Sequence, residues 1–325
     1  MLKILRPFPL LLAFASISFV LAPSAHAWGC EGHQTIAVLA EAHLTPHARE
    51  AILKILTVNP IDPALDRYCK PVPQDPMADA ATWPDDIRKI RPETPPWHFI
   101  NIPRGAPKGD ISQYCPRPEG CVTSALAAQV QILQDPSSSP QSKADAIRFI
   151  IHFVGDLHQP LHATTNNDEG GNCVPVTFFG KAPTESNPGS GSFHPNLHGV
   201  WDTDILERMT PKESPADLAK QLDTKFSAQI RAWESKPADF AAWAWESHNL
   251  AETVVYGRLP HPLPIEKPRP ETACVDKHDP GSYAKLLQID EDLEQPYQSA
   301  AAPVVEVQLA KAGARLAALL NSVWP

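Results

Sequence analysis

The 325-residue sequence contains no C-x2-C pair, no phosphate-binding glycine loop, no sustained heptad and no internal repeat. Those absences exclude a zinc ribbon or finger, a P-loop cradle for a nucleotide, a coiled coil and a solenoid. Strand-like sequence is scarce, with a single run from Cys173 to Phe179. Positive charge is in the minority, 28 Lys and Arg against 37 Asp and Glu. Such a surface does not draw polyanions over a long range, so any phosphate-bearing partner must be held by local contacts. The apolar stretch Leu10 to Val20 is short, ends near Pro23 and has no basic stop-transfer flank, which argues against a retained membrane anchor.

What the amino terminus does contain is the pattern of a secretory leader. Lys3 and Arg6 start it, the apolar stretch follows, and Ala25-His26-Ala27 is a small-x-small cleavage signature. Cleavage after Ala27 removes 27 of 325 residues, leaves 298 and makes Trp28 the new amino terminus. Losing Lys3 and Arg6 takes the basic count from 28 to 26 against 37 acidic residues, a formal charge of −11. A chain of that length can form one large domain, residues 28–325. Six cysteines, an even number in an exported chain, fit three disulfides in an oxidising compartment, secreted or periplasmic. Fifteen pairings are possible, and only the close Cys115/Cys121 pair suggests itself.

Helical spacing dominates the rest. Trp28 to Leu56 reads as helix, with Thr45-Pro46 as the cap and first position of a second segment. Asn59 to Asp79 is Pro-rich and irregular, and Pro84 opens a short helix to about Lys89. Trp97 to Asn101 follows two prolines and reads as extended; Pro103 to Gly120 is a Gly/Pro loop. Further helices are expected at Thr123–Leu133, Ser142–Leu157, Leu197–Arg208, Pro215–Ala232, Asp239–Tyr256, Pro280–Gln288 and Pro303–Leu320. The expected fold is a mainly α, single multi-helix domain with long Pro/Gly-rich loops and at most a small β-hairpin. The 36 prolines mark ordered loops, because 43% hydrophobic residues is too apolar for a disordered chain.

The chemistry concentrates in His152-Phe153-Val154-Gly155-Asp156-Leu157-His158-Gln159-Pro160-Leu161-His162. His152 and Asp156 lie four apart on one helical face, and Pro160 breaks the helix and turns His162 towards a second position. His198 and Asp202 repeat the His-x3-Asp spacing. One such pair alone is most often a surface ion pair of a few tenths of a kcal/mol. Here Phe149, Ile150, Ile151, Phe153, Val154 and Leu157 flank the first pair, and a carboxylate buried among them calls for a cation. Nitrogen and oxygen donors in this mixture suit a borderline divalent ion such as zinc.

Trp28-Gly29-x-x-Gly32-His33, Trp83-Pro84-Asp85, Trp97-His98-Phe99-Ile100-Asn101, the run from His152 to His162, Gly170-Gly171-Asn172 and Asn196-Leu197-His198-x-Val200-Trp201-Asp202 together resemble the S1/P1 nuclease family. The similarity extends to the carboxyl-terminal Leu309-to-Asn321 segment, and so spans essentially the whole mature chain. The resemblance implies a secreted single-strand nuclease and 3′-nucleotidase that binds three zinc ions. One ion would take Asp85, His98, His152 and Asp156, and a second His162, His198 and Asp202. The third would take His33, Asp156 as a bridging carboxylate, and Trp28 through its freed α-amino group and carbonyl oxygen, which couples leader removal to metal binding. Substrates would be single-stranded DNA and RNA and 3′-mononucleotides, cleaved by zinc-activated water, with a monomeric protein and no stable membrane association.

The resemblance also assigns supporting roles. Asp85 could orient the attacking water, and Arg88 would face the phosphate, although a surface ion pair with Asp85 or Asp86 explains Arg88 equally well. Phe99 matches a base-stacking ring. Asn101 stands where the fungal pattern has aspartate, and an amide offers both donor and acceptor, which broadens the expected base preference. Asp168, Asn172 and Asn196 are candidate pocket groups with turn or cap roles as the alternative, and His158, next to the ligands, reads as a hydrogen-bonding neighbour rather than a ligand. Residues 180 to 195 look longer than the fungal loop, so the cleft rim differs. A secreted zinc phospholipase C is the competing enzyme class. Phe99, Arg88 and the Trp201-Asp202-Thr203-Asp204 run, with three possible disulfides, favour the nuclease. A zinc-sequestering protein without activity is the non-enzymatic alternative.

Overall fold

A computed structural model describes residues 28–116, 118–268, 274–275, 279 and 281–325. The expected leader 1–27 and the Pro280 start of one expected helix lie outside the described residues. From Trp28 onward the chain forms α1 (Gly29–Ala42), α2 (Pro46–Val58), α3 (Pro76–Ala80), α4 (Trp83–Asp86), α5 (Val122–Gln134) and α6 (Pro140–His158). Then follow α7 (Leu197–Gly199), α8 (Ile205–Met209), α9 (Pro215–Glu234), α10 (Phe240–Leu250), α11 (Ser282–Leu286) and α12 (Gln295–Val323).

Several helices start where the sequence supplies both a cap and a proline. The Thr45, Ser139 and Ser214 hydroxyls accept the N–H of Ala48, Ser142 and Asp217, and Pro46, Pro140 and Pro215 take the next position. Proline costs nothing there, because the N–H it lacks would have no helical partner. α6 is the axis of the fold. Every residue from Ala146 to His158 is buried, and α1, α4, α5, α10 and α12 pack around it. A helix enclosed on all sides can hold polar groups only where they find partners, which makes His152 and Asp156 the informative residues on it.

Two devices bring α1 against α6. Gly155 leaves room, since a Cβ there would lie 2.8 Å from His33 Nδ1, and Trp28, fully buried, donates its indole N–H to the Gly155 carbonyl at 2.8 Å. Cys30–Cys69 ties the same helix to the 59–75 segment. The other pairs are Cys115–Cys121 and Cys173–Cys274, so all six cysteines are oxidised and a cysteine-ligated metal is ruled out. Disulfides of this kind contribute about 2–5 kcal/mol each in secreted domains.

Sheet is confined, among the described residues, to two-residue ladders. β1 (Thr177–Phe178) pairs in parallel with β4 (Asp292–Leu293), and β2 (Thr184–Glu185) pairs with β3 (Phe193–His194) in a small hairpin within the segment that reads as a Gly/Ser/Pro-rich loop. The strand expected over Cys173–Phe179 is therefore shortened, because its ladder partner β4 is two residues long. The Asn59–Asp79 segment is not wholly irregular: Asp75 caps α3 through the Ala78 N–H at 2.9 Å. Nor is Trp97–Asn101 wholly extended, since Pro95–His98 forms a 3-10 turn closed by Trp97 N–H to Thr94 O, and only from Phe99 (φ −147°) does the chain straighten. The last helix starts at Gln295 rather than Pro303. Pro296 serves as its opening proline, and Pro303 is tolerated inside because it sits on the solvent face, where water can bond the carbonyl it deprives. Among the described residues no helix is long and apolar enough to cross a membrane.

Candidate metal centre

α6 carries His152 and Asp156, and three other segments bring donors to them. α4 supplies Asp85, the turn Pro95–His98 supplies His98, and α1 supplies His33. His98 Nδ1 lies 3.1 Å from His152 Nε2, 3.0 Å from Asp156 Oδ2 and 3.6 Å from Asp85 Oδ1. His152 Nε2 lies 3.4 Å from Asp156 Oδ2 and 3.7 Å from Asp85 Oδ1. Five separations thus link one atom from each of the four residues. Bonds of zinc length, ~2.0–2.1 Å, set tetrahedral donors ~3.3–3.4 Å apart, and these five separations bracket that value; Asp85, His98 and His152 form one group whose donor atoms all lie within 4.8 Å of one another, and His33, His152 and Asp156 form another. Asp156 reaches a further donor with its other oxygen, since Oδ1 lies 3.4 Å from His33 Nε2. The His33 ring stacks on that of His152, centroids 3.9 Å apart.

A second group sits beyond the end of α6. His162 Nε2 is 3.1 Å from His198 Nε2, and His198 Nε2 is 3.2 Å from Asp202 Oδ2. Pro160 makes this possible by ending α6, after which the turn Pro160–Ala163 carries His162. Over Val200–Asp204 the helix widens to i→i+5 bonding, an insertion that recurs at functional sites.

Ring orientation is set by backbone carbonyls. The Nδ1–H of His152 donates to Ala81 O, that of His162 to His98 O and that of His198 to Gly170 O, each at 2.7 Å. With Nδ1 protonated, Nε2 keeps its lone pair and faces inward. Gly170 (φ +62°) is required for its part, because a Cβ would fall 2.6 Å from Leu161 O. Oδ1 of Asp156 and Oδ2 of Asp202 are buried and accept no hydrogen bond. Buried acceptors of this kind are uncommon without a bound group, and they are the carboxylate oxygens that face His33 and His198.

Electrostatics agree with a site built for cations. Burial, reinforced by the negative charge of Asp85, raises the Asp156 carboxyl well above the usual carboxylate range. Burial holds His98 well below the ordinary imidazole value, with the Arg88 charge adding to it. Burial does the same to His162, helped by His198. For His198, burial is outweighed by the Asp202 charge and its hydrogen bonds, so its value rises. Without a cation, one anion is destabilised and neutral histidines crowd it. Bound divalent charge relieves both.

The remaining predicted residues are placed as follows. Arg88 Nη1 lies 3.4 Å from Asp85 Oδ1, at the edge of the first group. Phe99 and Asn101 are half-buried on the extended segment after His98, and Phe99 is not part of the hydrophobic core. Asn172 donates to Glu169 O at 2.8 Å within a turn. Asn196 caps α7, accepting from Gly199 N at 2.8 Å and donating to Phe193 O at 2.9 Å, so both ends of its amide are engaged in the chain's own turn. His158 faces away from the donors, accepting from Arg315 and donating to Val154 O. Asp168 is bonded to the Tyr256 hydroxyl at 2.7 Å. One residue the sequence reading overlooked is Gln159, which donates to Asp202 Oδ1 at 2.6 Å; its only sequence signal is its place between two histidine-bearing turns.

Residues 28–325 match the family described as S1/P1 Nuclease, and the match begins at Trp28. Nuclease P1 from Penicillium citrinum is 29% identical over 321 residues, 91% of this chain and 97% of its own. Nuclease S1 from Aspergillus oryzae is 25% identical, with 97% and 98% covered. Endonuclease 2 from Arabidopsis thaliana is 25% identical, with 93% and 92% covered. The helices, the clustered histidines and aspartates, and this end-to-end similarity to fungal and plant nucleases lead to one conclusion: the chain belongs to the S1/P1 nuclease family.

Proposed function

We propose that the chain, cut after Ala27 and exported, is a zinc-dependent endonuclease that hydrolyses single-stranded DNA and RNA to 5′-mononucleotides and also removes phosphate from 3′-mononucleotides. Residues 28–325 are its single catalytic domain. The observation that carries this reading is the set of five donor separations of 3.0–3.7 Å among Asp85, His98, His152 and Asp156, in a chain whose relatives are nucleases from end to end. Asp85, His98, His152 and Asp156 would hold one zinc ion; His162, His198 and Asp202 a second; His33, Asp156 and the freed amino group and carbonyl of Trp28 a third. Zinc bound there supplies Lewis acidity, lowering the pKa of water to about 7 and stabilising charge on phosphate oxygens.

The protein's own side chains do the rest. Asp156 presents one oxygen to each of two donor sets, so its two carboxylate atoms fix their spacing. Asp85, at the solvent-facing edge, is placed to orient water for attack on phosphorus, and its 3.4 Å contact holds the Arg88 guanidinium beside it. A planar, permanently charged group there suits the charge that spreads over the phosphate oxygens during displacement. Phe99, outside the core, offers a face for a base to stack on, and stacking is tolerant of sequence. Asn101 presents both donor and acceptor to a base edge. Asn172 and Asn196 would line the pocket from turns that already use their amides.

The test combines a metal count on processed protein beginning at Trp28 with product analysis on a defined single-stranded oligonucleotide and on phosphatidylcholine. Three zinc ions and 5′-mononucleotide products are expected. Turnover of lipid alone would overturn the assignment in favour of a phospholipase, and metal binding without turnover of either substrate would leave a metal-sequestering protein.

A further inference from the structure

We infer that Gln159 is a positioning residue that holds Asp202 in single-oxygen, metal-ready form and thereby sets the affinity of the His162/His198/Asp202 ion separately from the others. The inference rests on the proposed ligand set. Gln159 is fully buried and stands at the junction where α6, with His152 and Asp156, gives way to the turn bearing His162. Both ends of its amide are used. Oε1 accepts the Leu161 N–H at 2.5 Å, and Nε2 donates to Asp202 Oδ1 at 2.6 Å.

The first of these bonds determines the second. A backbone N–H can only donate, so the amide oxygen must face Leu161 and the NH2 must face Asp202; the flipped amide would set NH2 against N–H and oxygen against carboxylate. Gln159 therefore pins Oδ1. It leaves Oδ2, which accepts no hydrogen bond and lies 3.2 Å from His198 Nε2, as the oxygen available to a cation. The same side chain is a hydrogen-bonded tie from the end of α6 to the widened turn Val200–Asp204. Asp202 is thus referenced to the segment that carries His162, and the three donors keep their spacing although they come from two separate stretches of chain.

No other uncharged side chain of this length does both jobs. Glutamate at 159 could still accept from Leu161 but would oppose a carboxylate to a carboxylate. Methionine would keep the volume and lose both bonds. Groups that orient a metal ligand typically change affinity about 10–100-fold, so that is the expected loss at this one site.

The experiment uses processed protein loaded with zinc: wild type, Gln159→Met, Gln159→Glu and Asp202→Asn, each checked for native circular dichroism. Zinc per chain is then followed against a graded chelator series. Asp202→Asn should lower the count by one, which identifies the step belonging to this site. In Gln159→Met that same step should move about 10–100-fold towards weaker binding with the remaining steps unmoved. Gln159→Glu, which retains the acceptor for Leu161 and so the turn, provides the same reading if the methionine variant does not fold. An unmoved step in a folded Gln159 variant overturns the positioning role, as does a uniform weakening of every step. If Asp202→Asn itself leaves the count unchanged, it is the ligand assignment that fails.

Discussion

Replacing Asp156 by asparagine should move the stability of the protein in opposite directions with and without metal. Asp156 is fully buried, with Oδ2 3.0 Å from His98 Nδ1 and 3.4 Å from His152 Nε2, and Oδ1 3.4 Å from His33 Nε2. Asparagine keeps the shape but presents a neutral amide to both donor sets. A direct donor should matter more than a group that merely orients one, so at least about 100-fold is expected for each of two ions. Each 100-fold loss removes about 2.7 kcal/mol of ligand-linked stability when zinc is in excess. In metal-free protein the sign reverses. Burial and Asp85 raise the folded-state pKa of Asp156, so the folded form holds a proton that the unfolded chain has already released. That is a penalty which begins above the unfolded value of about 3.9 and grows as pH rises towards the folded one. Asparagine carries no such penalty, so the metal-free variant should melt higher than the metal-free wild type at pH 7, and the difference should vanish near pH 4. Thermal melts with zinc and with chelator, together with a metal count, read all of this. A variant that retains every zinc ion, or that is less stable than wild type without metal at pH 7, would refute the bridging role.

Further outcomes are expected from other parts of the site. A chain that retains residues before Trp28 should bind one zinc ion fewer and lose nuclease activity, because an amide nitrogen has no lone pair to give; full activity of such an extended chain would exclude the terminal ligand. Phe99→Ala should weaken oligonucleotide binding by about 1–3 kcal/mol and leave the melting temperature within about 2 °C, since the ring lies outside the core; fluorescence titration and calorimetry separate the two effects. Gly155→Ala should cost about 1–3 kcal/mol in overpacking, because the new methyl would meet His33 Nδ1 at 2.8 Å, and one zinc ion should dissociate more easily; unchanged binding would show that His33 is not a donor. Burial keeps His98 and His162 neutral below the ordinary imidazole range, so folding opposes their protonation and that stability is lost as pH falls from about 6.5 towards their folded values. Zinc release followed by a chromogenic chelator should therefore be slight at pH 6.5 and rise steeply at lower pH.

Much of the site was legible in the chain, and the reason is local. The i,i+4 spacing of His152/Asp156 and of His198/Asp202 belongs to helix geometry, which the backbone repeats wherever it forms. The cap-and-proline start at Thr45-Pro46 is local in the same sense. Even the apolar surroundings of Asp156 could be read from its immediate neighbours. The limits of that reading appear at Pro303, which locally signals a helix start. On the solvent face of a helix already packed against α1, α6 and α9, the lost bond costs too little to end it.

Sequence alone thus determined the donor types, their pairing along each helix and the mainly helical class, because these follow from side-chain chemistry and backbone periodicity over a few residues. Only the tertiary structure decided that His33, Asp85 and His98, from three different segments, would meet α6 within 3.0–3.7 Å of its donors. The same holds for the carbonyls of Ala81, His98 and Gly170, which select the inward-facing nitrogens from far along the chain, and for Gln159, whose partner lies 43 residues away. Those relations depend on which surfaces bury against which, on the gap left by Gly155 and on where Pro160 turns the chain, and no short stretch of sequence contains them.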